Sequence, residues 1–513
     1  MKKTILILGI IFLLIGVSVI PSNAINKMIT ISSKEEDIDW WPMFHHDLNH
    51  SGYSTSTGPM TNNVLWAYQA DDRIEFSSPA IVDNKIFFGD NSNFYCLDSD
   101  TGEQIWKKSI PSGIGMSSPA VDNGKVYFGA SIGSGDIYCL NVTTGDIIWK
   151  YQTPGISDIY SPAVYDGKVY IGAHDPYPGC MYCLDADTGE EIWIFQNIDS
   201  PGSPAIYNDR IYFGSQDFNV YCLDADNGTK IWTYKTEGEN TPSIRVTVYD
   251  DKLYAGGDDG LYCLDINEGD LIWKYPTGDR IYSTPCTANG YVYFAPDDPQ
   301  FFCLDADSGE KIWDFETRVP LKSSPAYADG NIYIEGGKVF CLNANSGEKI
   351  WDFETVSGVL SSPAIANGKV YIGSRDDGEM FCFGGESDNK PPCTPEKIFG
   401  PTTVTIDVEC TFNTSTYDLD GDQLYYKWFW ELDESDWLGP FNSNETVEIN
   451  INFYYQGINT IKVIVKDSNH ARSDWAKLEV RVSRDRTIIS SFLLKFLERY
   501  PLFLHLIHYL ISN

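Results

Sequence analysis

Basic residues are scarce in this chain: 37 Lys and Arg stand against 72 Asp and Glu, a formal charge of −35. A surface of that sign repels phosphate backbones, so nucleic acid is excluded as a partner, and cations or basic partners are favoured instead. No Cys precedes Cys96, which excludes a lipid-modified cysteine near the N-terminus, and no two cysteines are adjacent anywhere. Helical periodicity is poor through the middle of the chain. What is abundant suits strands and turns: aromatics make up 14%, with 43 Gly and 26 Pro. At 513 residues the chain exceeds one hydrophobic core, so two or more domains are expected.

Residues 1–24 read as a secretory signal. Lys2 and Lys3 precede an apolar stretch from Ile5 to Ile20, and Ser22-Asn23-Ala24 offers small residues for cleavage. The stretch is sixteen residues, short of the roughly 20 that span a bilayer; an uncleaved anchor is the alternative. A polar linker, 25–39, follows. Secreted or extracellular placement, at the cell surface, is the expectation.

One phrase then recurs seven times, from FYCLDSDTGEQIW ending at Trp106 to VFCLNANSGEKIW ending at Trp351, with Trp149, Trp193, Trp232, Trp273 and Trp313 between. Each Gly precedes its Trp by four residues, and the Trp-to-Trp intervals are 43, 44, 39, 41, 40 and 38. Each unit reads as four short strands. A Ser-Ser-Pro-Ala strand comes first, then a tight Asn-Gly-type turn, an alternating strand, a Tyr-Cys-Leu-Asp strand, an Asp-x-x-Gly turn and an Ile-Trp strand. Four antiparallel strands every ~40 residues is the pattern of propeller blades. The last unit lacks a Trp strand, and Trp66 lacks a Cys strand before it. Trp66 therefore completes the last blade, giving eight and leaving no open sheet edge.

The Gly-x-x-x-Trp ending resembles the tryptophan-docking motif of propellers in the pyrroloquinoline-quinone (PQQ) enzyme family. Trp40-Trp41-Pro42-Met43-Phe44-His45-His46-Asp47, with Gly52 downstream, is similar to the segment preceding the first blade there. The resemblance implies an all-β fold: an eight-bladed β-propeller over 40–386, then a small PKD- or Ig-like β-sandwich over 387–483. It says less about activity, because the same propeller serves quinone dehydrogenases and non-enzymatic scaffolds. Those dehydrogenases pair vicinal cysteines against the cofactor and hold Ca²⁺ with acidic side chains. No position here matches those residues, so no catalytic or PQQ-binding residue is carried over.

The sandwich is expected from alternation over Val404–Phe412, Gln423–Leu432, Thr446–Asn452, Asn459–Lys466 and Lys477–Val482. Asp418, Asp420 and Asp422 around Gly421 could hold Ca²⁺, or could cap the turn through backbone N–H groups. The tail, 484–513, is apolar with scattered charge. It suits membrane association through amphipathic helices, or packing on its own chain.

Loops after the second and fourth strands vary most, so function is expected on that face. Asp158, Glu239, Arg280, Arg318 and Lys322 fall there as candidates for an anionic ligand, with plain solvation as the alternative. His45, His46 and His50 would suit a metal if helical, or serve packing. Eight of the twelve cysteines recur in the third strand, too far apart to pair, and are expected as buried free thiols. Cys393 and Cys410 are the one plausible bridge. The leading expectation is an exported, non-catalytic scaffold or binding protein with a protein or surface-polymer partner. A PQQ-dependent dehydrogenase and a carbohydrate-binding surface protein are the alternatives.

Overall fold

The computed structural model describes residues 38–131, 135–154, 158–174, 178–238, 244–317, 319–355, 361–375, 378–385, 390–431 and 433–483. The signal, most of the linker and the tail lie outside these, as do Glu239 and Arg318. Every described element is a strand.

Eight antiparallel sheets share one plan, a short inner strand followed by three longer ones. In blade two these are Ala120–Asp122, Lys125–Ala130, Asp136–Asn141 and Ile147–Gln152. The inner strands stand side by side in sequence order, and the eighth, Ala364–Ala366, returns to the first, Ala80–Val82. Closure follows the expected route. Val64–Gln69 pairs with Glu379–Gly384, and Trp66 lies opposite Cys382. The chain is thus an all-β, eight-bladed propeller followed by a small sandwich.

The repeat phrase has one physical purpose. Each Asp/Asn-x-x-x-Gly turn holds its Gly at positive φ, and the indole of the preceding blade lies against that Gly. A Cβ built on Gly228 would stand 2.7 Å from the Trp193 ring, and one on Gly102 would stand 2.6 Å from Trp66. Each indole N–H also donates to a carbonyl of the next blade, as from Trp106 to Val142 at 3.0 Å and from Trp313 to Ala344 at 3.0 Å. Trp351 donates instead to Pro59, at 3.1 Å, because the lead into the Trp66 strand replaces the missing turn.

The Ser-Ser-Pro segments are not paired as strands; ladder pairing starts at the Ala, since Pro has no N–H to donate. The two hydroxyls replace the ladder. The first accepts from its own blade, as Ser117 Oγ does from Gly129 N at 2.8 Å. The second accepts from the backbone of the preceding blade.

In the sandwich, a main sheet built on Gly457–Asp467 faces the pair Cys410–Thr414 and Val447–Ile451 around buried Trp428 and Phe412. The expected strand Val404–Phe412 is two strands, Thr403–Thr405 and Cys410–Thr414, because Asp407 turns the chain at φ 58°. Arg472 of the sandwich reaches Glu379 of blade eight, and Lys466 lies 3.4 Å from the same carboxylate. The cluster is buried, so attraction from Arg472 and Lys466 holds the Glu379 pKa down against a burial that would raise it.

All twelve cysteines are free, and Cys393 and Cys410 are not bridged. Seven of the eight repeat cysteines lie opposite buried tyrosines, as Cys222 does Tyr212, and Cys96 lies opposite Phe87; burial pushes the thiols of Cys96, Cys139 and Cys183 up to about 12. A thiol reagent applied to native protein at mildly alkaline pH should reach at most the half-buried Cys393 and Cys410, and in denaturant it should count twelve. Fewer than ten thiols in denaturant would mean that the repeat cysteines pair.

Candidate functional site

The segment 41–54 is laid along the inside of the ring. Trp41 bridges to Ile81 in blade one, and Val121 of blade two donates to Pro42 O at 2.8 Å. Ile206, Val248, Thr287 and Tyr327 then donate to Leu48, Asn49, Ser51 and Gly52 in turn. These donors occupy the same position in successive inner strands, so the segment runs along the ring like a thread through its blades. Asp47 shapes it by accepting from Ser51 Oγ at 2.6 Å and from two backbone N–H groups at 3.0 Å.

His45, His46 and His50 all have positive φ within this segment, so they are not helical, and no metal-holding cluster is found among the described residues. His45 Nε2 faces Pro325 O at 2.8 Å and Nδ1 faces His50 O at 2.6 Å, while burial pulls its pKa down. Packing is their role.

Above this thread runs a belt of hydrogen bonds from blade to blade. Ser78 N donates to Ser118 Oγ at 3.0 Å, Ser118 N to Ser161 Oγ at 2.9 Å, and Ser161 N to Ser203 Oγ at 3.2 Å. Thr284 N donates to Ser324 Oγ, Ser324 N to Ser362 Oγ, and Ser362 N to Ser78 Oγ, each at 2.9 Å. The gap falls in blade five, where Arg245 occupies the serine position: it lies two residues before Thr247, which pairs with Tyr254 as Ala80 pairs with Phe87.

Inside the belt is a cavity of about 70 Å³. Five belt serines and Phe44 of the thread line it. Arg245 and Lys322 supply its charge, and Phe76, Met116 and Tyr282 its remaining wall. The Arg245 guanidinium sits 5.6 Å from the Tyr160 ring centre, and Lys322 Nζ sits 5.7 Å from that of Tyr282. Arg245 is half-buried, and burial lowers its pKa.

Of the residues expected at a site, Lys322 lines this cavity. Arg280 lies outside its lining, stacked 4.7 Å from the Tyr282 ring and 3.4 Å from Asp297. Asp158 is exposed in a two-residue strand opposite His174 and does not line the cavity. In the sandwich, Asp418 Oδ1 accepts from Asp420 N at 2.8 Å and Asp422 N at 3.2 Å, so it caps the turn. Asp420 turns to Lys390, and Asp422 to Asn469 at 2.6 Å. Asp418 Oδ2 is buried without a hydrogen-bond partner, but the three carboxylates do not converge as a Ca²⁺ site would require. Sequence reasoning missed Arg245 and the belt; the signal was the one unit that reads Arg-Val-Thr where the units on either side read Ser-Pro-Ala and Thr-Pro-Cys.

Fold and cavity together define a propeller of the PQQ-repeat class with a threaded, nearly filled axis. The sequence matches the family described as outer membrane protein assembly factor BamB over residues 55–193, 216–323 and 302–384, and the chain belongs to that family. Among curated proteins none matches. Solved structures share the fold. Quinohemoprotein alcohol dehydrogenase ADHIIG from Pseudomonas putida HK5 is 16% identical with a TM-score of 0.58, over 70% of this chain and 83% of that one. The corresponding enzyme from Comamonas testosteroni is 16% identical with a TM-score of 0.59, over 68% and 81%. BamB from Moraxella catarrhalis is 18% identical with a TM-score of 0.54, over 64% of this chain and 98% of that one.

Burial takes the His50 pKa from 6.5 to about 3, with positive charge on His45 adding to the effect. The unfolded chain therefore binds this proton first, so the stability is whole above pH 6.5 and is lost as pH falls towards 3. Asn tolerates the positive φ of position 50. Between pH 6.5 and pH 4, His50→Asn should lose about 3 kcal/mol less stability than the wild type in denaturant titrations. Equal losses would place the imidazole in solvent.

Proposed function

We propose that this chain is an exported, non-catalytic propeller that binds a protein or surface polymer at the cell surface, a scaffold in the manner of the assembly factor whose family it belongs to. The observation that carries this reading is the filled axis. By the measure on which one water needs roughly 10–15 Å³, the cavity holds about five non-hydrogen atoms. A fused three-ring quinone carrying three carboxylates is several times that size, and the two charged residues at the cavity are cations rather than Ca²⁺ ligands. The site does not fit PQQ. Minimal blades on a rigid ring leave the variable loops as the surface on which a partner is recognised.

A second reading, recognition of a carbohydrate, is favoured by one depression of about 350 Å³ where blade seven meets the sandwich. Phe315, Phe340 and Trp475 offer aromatic surface there beside Lys338 and Glu354. Apolar walls with a few placed polar groups are the usual make-up of a small-molecule site.

Adding PQQ and Ca²⁺ to purified protein should give neither cofactor absorbance that co-elutes with it nor alcohol- or sugar-dependent dye reduction. Turnover in that assay would overturn the non-catalytic reading in favour of the dehydrogenase. Capture of one partner class from native cell surfaces, lost when variable-face loops are exchanged, would support it.

A further inference from the structure

The belt leaves something unspent. Each belt serine accepts a backbone N–H with its oxygen, and a hydroxyl can also donate its own proton. Among the described residues Ser78, Ser118, Ser161, Ser324 and Ser362 donate that proton to no protein acceptor, and all five line the cavity. The axis thus presents a ring of hydroxyl donors.

Two cations join them. Arg245 has no carboxylate partner among the described residues, and its recorded neighbour is the face of Tyr160. Lys322 rests on Tyr282, also with no ion pair among the described residues. A half-buried guanidinium without a counter-ion among the described residues is costly to keep. It stands where other blades place an uncharged serine or threonine, in a chain with a net charge of −35 and carboxylates to spare. Among the described residues, no acidic side chain lines the cavity. Donors and cations facing a space for about five heavy atoms specify a ligand rather than a salt bridge.

We propose that the axial cavity is a binding site for one small free oxyanion of the phosphate, sulfate or acetate class, held by Arg245 and Lys322 and by the hydroxyl protons of the serine belt. Phosphate and sulfate each have five non-hydrogen atoms and acetate has four, within the roughly five for which there is room. Bound there, the anion bridges blades on opposite sides of the ring and neutralises the Arg245 charge. This inference rests on the reading of the cavity as a binding site without quinone chemistry.

The test is calorimetric titration of the full chain with inorganic phosphate, sulfate and acetate, against chloride at matched ionic strength. At least one oxyanion should bind one-to-one and raise the melting temperature in a saturable way, where chloride does neither. Arg245→Ser restores the hydroxyl that the neighbouring blades carry at Ser203 and Thr284, so the belt should close and the fold persist. It should weaken binding about tenfold or more, as expected for losing a charge-assisted hydrogen bond. Lys322→Met should weaken it several-fold, and Lys230→Met, on an outer strand, should leave it unchanged. No binding of any of the three by wild-type protein, or equal binding by Arg245→Ser, would overturn the proposal. Quinone-dependent dye reduction in a parallel arm would instead sink the non-catalytic reading, whatever the titrations give.

Discussion

The structure depends on an indole N–H bonded eight times to a carbonyl of the next blade or of the lead-in strand, with the ring stacked on that blade's Gly turn in seven of the eight. The contact fixes two residue types at once. A Trp is needed to reach across, and the turn beneath it must be a Gly at positive φ, because a Cβ there would overlap the ring. Removing a buried Trp ring costs roughly 3–5 kcal/mol. Because every blade supplies the ring for one neighbour and the turn for the other, no blade is complete alone. The first and last segments of the propeller must therefore supply the two missing halves, Pro59 beneath Trp351 and Trp66 against Gly102.

Eight short inner strands leave an axis to be filled, and the chain fills it with its own lead-in segment and with hydroxyls. Segment 41–54 satisfies the inner-strand N–H groups in blade order, and the serine belt ties each blade to the next above it. That filling leaves a small space lined with donors, in which Arg245 interrupts the belt. The fold shared with the dehydrogenases is therefore compatible with a different task at the axis.

Much of this was legible because it repeats. The Gly-to-Trp spacing gave blades, turns and closure, and the third-strand position of the cysteines gave buried thiols. The Ser-Ser-Pro segments misled, because an extended run before Pro looks like a strand while its hydrogen bonds go through hydroxyls. Arg245 was overlooked for the opposite reason: it departs from the repeat, and only register against Gly256 shows that it stands in a serine's place. In the sandwich no repeat guides the eye. The turn at Asp407 inside an apolar run, and the separate partners of Asp420 and Asp422, are settled by contacts distant in sequence.

The central claim is that the Trp66 strand closes the ring onto blade eight. Leu65 and Lys369 come together there, each about 3 Å from a Cβ built on Gly384, although they are far apart in sequence. The buried native thiols should resist labelling, so spin labels can be placed at Leu65→Cys and Lys369→Cys in a Cys393→Ser, Cys410→Ser background. Pulsed dipolar spectroscopy should then give a single short distance that persists until global unfolding. A long or broad distribution under native conditions would mean that the Trp66 strand pairs elsewhere and that the ring is open.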